Sequence, residues 1–150
     1  MLLKYRVPRA YVYQLINNRE DFGLLNDDGS PRLQFTAIKN FISLFKDPGP
    51  TFTTATLDYT LNGNLANIQQ SIFQKRDGRF YLAIWQSIPS NDNDAARRAL
   101  TLNLNEKFTR ATVYEPTFTM NPVATLNDAA GITTVPLSVS DHITVVELTR

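Results

Sequence analysis

The chain lacks cysteine altogether and has a single histidine, and its charges nearly cancel. Without cysteine, disulfides, thiol nucleophiles and cysteine-based zinc sites are excluded. His142 has no second histidine to share a metal with, so it reads as a structural residue at the start of a strand. Fifteen Lys and Arg against fourteen Asp and Glu leave a formal charge of +1. That is no electrostatic footprint for nucleic acid or an anionic membrane, and neither is expected as a partner. No stretch approaches the roughly 18 consecutive apolar residues of a membrane-spanning helix. At the N-terminus, Met1–Ile16 is broken by Lys4, Arg6 and Arg9 and offers no small-residue cleavage site, so it does not read as a secretory signal. Nucleophile elbows of the Gly-x-Ser-x-Gly type and glycine-rich phosphate loops are missing too.

What is present is a composition of 43% hydrophobic and 19% charged residues over 150 positions. This suits one folded domain, or one domain with a remnant of another. The two parts, 1–47 and 51–150, are patterned differently. In the first, residues 9–16 (RAYVYQLI) are aromatic, β-branched and apolar on both faces, which predicts a buried strand of a parallel sheet. Turn formers fill 17–30. A helix is predicted over 31–46, with Ser30 as N-cap and Pro31 in the first helical position. Leu33, Ala37, Ile38, Phe41, Ile42, Leu44 and Phe45 form its apolar stripe, Lys39 and Lys46 sit toward its C-terminal end, and Pro48-Gly49 stop it. Residues 47–50 (DPGP) are the expected linker.

Beyond Pro50, alternation of period two dominates. Strands are predicted at 57–61, 67–75, 80–88, 99–105, 109–115, 133–139 and 143–148, with Asp77-Gly78 as a tight hairpin turn. Residues 126–131 (LNDAAG) and 138–141 are expected to be turns. The 80–88 segment is apolar on both faces and should be covered on both sides. Short strands spaced about 8–12 residues apart predict a mainly β fold, an antiparallel β-sandwich preceded by one strand and one amphipathic helix.

Several polar groups are candidates for chemistry. Glu20-Asp21 and Asp27-Asp28 could form a substrate rim or an acid pair, but neighbours in a loop rarely reach paired acid–base geometry, so solvated loop carboxylates are expected. Asp92 and Asp94 in NDND lack the glycine and distal glutamate of a calcium loop, so a polar hairpin loop is the reading. Tyr11, Tyr13, Phe80, Tyr81 and Trp85 could stack on sugar rings, yet their place inside continuous apolar strands predicts core or interdomain packing.

The order YVYQLI, then FGLLNDDGSPRLQFTAIKNF, resembles the end of a (β/α)8-barrel glycoside hydrolase, where the eighth strand often reads Tyr-x-Tyr-Glu-Leu and a loop leads through Ser-Pro-Lys into a closing helix. FTTATLDYTL, QKRDGRFYLAIWQ, VYEP and VSDHITVVEL resemble the small C-terminal β-sandwich that follows such barrels in many secreted hydrolases. The resemblance implies that strand 9–16 and helix 31–46 are the eighth strand and helix, and that residues 51–150 are the accessory domain. It also implies that the two catalytic carboxyls of a retaining enzyme, about 5 Å apart, lie on the fourth and seventh strands, outside this sequence. This chain therefore inherits no catalytic residue, and no cofactor or metal ligand either; Gln14 stands where the family often has Glu. The parent would be exported.

Three functions are carried forward: a non-catalytic accessory region packing on a catalytic barrel, a carbohydrate-binding module for polysaccharide, and a protein–protein assembly module. An autonomous enzyme ranks last. For the first, the partner is the barrel polypeptide, or a second copy paired through the open edge of strand 9–16.

Overall fold

The computed structural model describes residues 11–16, 22–89 and 97–150. Its order is one helix followed by six strands: α1 (Leu33–Phe45), β1 (Tyr59–Gly63), β2 (Ile68–Gln74), β3 (Phe80–Gln86), β4 (Arg98–Tyr114), β5 (Ala124–Val139) and β6 (Thr144–Thr149). The chain is mainly β, and its strands join in one antiparallel sheet of order β1-β4-β6-β3-β2, with β5 on the other side of β4.

Two long strands make this arrangement possible. The sequence suggests separate strands at 99–105 and 109–115, but β4 runs through both as 17 residues. Its first half pairs with β1, Leu102 opposite Leu61, and its second half with β6, Val113 opposite Val146. β5 follows β4 along its length, but the register slips between Asn103 and Phe108 and again between Phe108 and Arg110. The slips bend the hairpin and curl the sheet. At the far end, Gln86 of β3 donates its backbone N–H to Ser140 O (2.7 Å) and its side-chain amide to Val139 O (2.6 Å). These bonds tie the end of β3 to the end of β5. The sheet is thus curled on itself, a coarser description than the two-sheet sandwich the strand spacing suggests.

The turn expected at 126–131 lies inside β5. Its turn chemistry is real: Asp128 Oδ1 accepts from the Ala130 N–H (2.8 Å), and Gly131 has φ +106°, a left-handed conformation that glycine adopts without strain. Flanking residues stay paired with β4, so the motif makes a bulge where the sequence suggested a reversal.

Inside the curl, Leu82 and Ile84 of β3, Leu102 of β4, Val135 of β5 and Val146 and Leu148 of β6 are fully buried. Phe80 and Phe108 meet edge to face at 6.4 Å, with the Arg150 guanidinium over both rings. Every residue of β3 is buried, in line with the reading of 80–88 as covered on both sides. The hairpin at Asp77-Gly78 forms as read, with the Lys75 N–H on Arg79 O and the Gly78 N–H on Lys75 O.

On the outer face of the sheet, Tyr81, Ala83 and Val145 pack beneath Leu44 and Phe45 of α1. Phe45 lies 4.5 Å from Phe73 and 5.6 Å from Tyr81, ring to ring. Asn40, buried in the same contact, donates its side-chain amide to Pro116 O at 3.0 Å. Periodicity located the helix well, but its start differs. Arg32 is the N-cap, in extended conformation and without a side-chain cap bond. The Ser30 hydroxyl instead donates to Asp28 Oδ1 (2.6 Å) and accepts from the Asn26 amide (2.9 Å). Backbone bonding delays the helix: the Arg32 N–H donates to Leu24 O, and Pro31 bridges to Leu25. At the other end Lys46 is the C-cap and the last turn holds no basic residue.

The buried strand expected at 9–16 is not what residues 11–16 form. They carry one isolated parallel bridge, Ile16 to Leu25, and their side chains are mostly exposed. Residues 9–10 lie outside the described part. A strand that is apolar on both faces needs cover on both faces, and among the described residues the backbone neighbour here is the 24–25 stretch, where the Leu24 and Leu25 N–H groups donate to Gln14 O and Leu15 O.

Candidate functional site

The surface of greatest apolar exposure follows directly from those two departures. With no bridge on its other side among the described residues, the N-terminal segment turns Tyr11 (86% exposed), Val12, Tyr13, Leu15 and Ile16 toward solvent, and Phe22 follows. Helix α1 adds Leu33, Ile38 and Ile42, because its stripe is wider than the footprint it makes on the sheet. Where α1 stands off the sheet, Ala37, Ile38, Phe41 and Ile42 face Pro116, Thr117 and Ile143 across an apolar groove of about 250 Å³. An apolar groove flanked by exposed Ile38 and Ile42 is the kind of feature that marks interaction surfaces.

A second feature sits under the outer edge of the helix contact. Glu147, on β6, is 9% exposed. Arg79 Nη1 donates to its Oε1 at 2.9 Å, and the rest of that guanidinium holds Asp77. The phenols of Tyr81 and Tyr114 face the same carboxylate. Burial, then the Glu147 charge, pushes both phenols above the ordinary tyrosine range. Asp77 is held below the usual carboxylate range by its hydrogen bonds from Arg79. An Arg, a Glu and two Tyr meet at one point, and the Arg79 ion pair holds the carboxylate there. The arrangement orders the sheet surface. Its sequence signal was the lone acid in the apolar strand ITVVEL, which the strand reading passed over.

The candidates from sequence scatter. Asp27 and Asp28 lie on an exposed turn, where Asp28 accepts from the Ser30 N–H (2.9 Å) and hydroxyl and has its pKa lowered by those bonds. Glu20, Asp21, Asp92 and Asp94 fall outside the described residues. His142 is half-buried, its ring 4.8 Å from Phe118. No cluster of three His, Asp or Glu suited to a metal occurs among the described residues. Phe80, Tyr81 and Trp85 are buried in β3, whereas Tyr11 and Tyr13 stand exposed on the N-terminal segment, so the five aromatics do not converge on one platform.

Among the described residues, no helix is long and apolar enough to cross a membrane. The groove, missed by sequence reading, needed both α1 and the 116–117 and 143 positions placed together. A scan against protein-family models and a search of curated proteins both return no match to this chain.

Proposed function

We propose that this chain is the non-catalytic accessory region of a glycoside hydrolase, which docks on a catalytic (β/α)8 barrel outside these 150 residues. The observation that carries the reading is the exposure of the apolar side chains of 11–16, Phe22 and α1. Those are the segments whose order, YVYQLI then a loop then a closing helix, resembles the end of such a barrel. A strand and helix taken from a barrel would expose the faces that met its neighbours. The curled sheet then stabilises the complex by packing on α1 from behind. Export of the parent goes with the same reading.

The test is the intact mass of the native protein, captured from its source with an antibody against the sheet. A mass well above 17.0 kDa, or a co-purifying barrel polypeptide, is expected. A mass near 17.0 kDa with no barrel attached would overturn it.

Exposure of Tyr11 and Tyr13 favours one other reading, a carbohydrate-binding module. Retention on insoluble polysaccharide, lost when both are changed to Ala, would support that alternative.

A further inference from the structure

The groove beside α1 also carries information about what fills it. From Arg32 to Lys46 the helix and its caps contain three basic residues and no acidic one. Lys39 and Lys46 are exposed, and among the described residues no carboxylate forms an ion pair with either. Ile42 (61% exposed) is three residues after Lys39 and four before Lys46, so both cations border the most exposed apolar side chain of the groove. Nearby acids are already engaged: Asp47 with Arg76, and Glu115 with Arg97.

From this we infer that the groove receives an amphipathic helix of a partner polypeptide, with aliphatic residues at i, i+3/i+4 and i+7 and acidic residues along the edge that meets Lys39 and Lys46. A second copy of this chain is a poor occupant. A two-fold contact places the same patch on both sides, so the lysines of one copy face a helix that carries lysines and no acid to offset them. An anionic bilayer also fits poorly. It takes protruding apolar side chains and larger basic clusters, whereas this surface is indented and bordered by Lys39 and Lys46. The inference rests on reading this face as a docking surface, but not on the partner's being a barrel.

The experiment uses the full chain and two synthetic peptides of about 18 residues, long enough for helix formation. Both carry the same leucine pattern; one has glutamates on its flanks and the other lysines. Binding is followed by the methyl NMR signals of Ile38, Ile42 and Ile143. The acidic peptide should shift all three and bind roughly tenfold tighter than the basic one, with the advantage shrinking as salt is raised. Ile42→Glu should abolish binding. The Lys39→Glu/Lys46→Glu variant should reverse the preference. Equal binding of the two peptides, no saturable binding of either, dimerisation through these methyls, or their perturbation by phosphatidylserine vesicles alone would each overturn the inference. Such a failure leaves the intact-mass result standing, so the two readings fall separately.

Discussion

Arg76 holds Asp47 from two directions: its backbone N–H donates to Oδ2 at 3.1 Å, and its Nη2 donates to Oδ1 at 3.0 Å. The same guanidinium also reaches Pro48 O and Pro50 O. The DPGP stretch, which reads as a linker, is therefore clasped to the β2–β3 hairpin and fixes where α1 leaves the sheet. Arg76→Ala should loosen the helix without unfolding the sheet. Amide exchange should speed up over 33–49 and stay slow over 80–86; equal acceleration in both would mean the clasp does not act locally.

Gly49 tests the same clasp from the other side. A Cβ built there overlaps the Arg76 guanidinium. Gly49→Ala should displace Arg76 and also strain the backbone at φ +142°, so it should loosen the helix more than Arg76→Ala does. The part due to displacing Arg76 should vanish in the Arg76→Ala background and the backbone part should remain, as a double-mutant cycle would show.

Acid sensitivity follows from the carboxylates. Hydrogen bonds from Arg76 hold Asp47, and those from Arg79 hold Asp77, below the ordinary range. Depressed values mean that the stability is present above the unfolded value of about 3.9 and is lost as pH falls through the folded value. Thermal melts should be flat near neutrality and decline below about pH 4. Asp47→Asn should lower the neutral plateau and make the acid decline shallower; an unchanged slope would exclude Asp47 as a contributor.

At high pH the sign reverses. Tyr59 is pushed up by burial, Tyr81 and Tyr114 by burial and then by the Glu147 charge. Raised values keep stability intact below the free-tyrosine value of about 10 and remove it as these phenols are forced to ionise above that. Phenolate absorbance should therefore show a late, unfolding-coupled phase. Glu147→Gln should shift the Tyr81 and Tyr114 part of that phase downward and leave Tyr59 unmoved.

Two leucines separate the inner core from the helix contact. Leu82 is fully buried in the curl, and Leu44 sits between α1 and the outer face. Leu82→Ala should cost about 2–5 kcal/mol by urea denaturation, with loss of cooperative folding. Leu44→Ala should fall toward the lower end of that range and mainly free the helix, read as loss of helical ellipticity while the sheet persists.

Much of this fold was legible in the order of residues. Period-two alternation located β1, β2, β3 and β6 to within about two residues, and Asp77-Gly78 named its hairpin, because these signals are local and each acts through its own backbone. The apolar stripe placed α1 for the same reason. Double-sided burial of 80–86 was readable from its composition. Only the tertiary structure decided the rest. Ser30 lost the helix cap to Asp28 because Leu24 and Leu25 held Pro31 and Arg32 extended. Residues 126–131 kept their turn chemistry but became a bulge, since β4 ran on unbroken beside them. The 11–16 segment, apolar on both faces, stayed exposed because a strand's burial depends on neighbours that its own residues do not encode. The groove between α1, Pro116 and Ile143 joins positions roughly a hundred residues apart, and no local pattern reports a surface made that way.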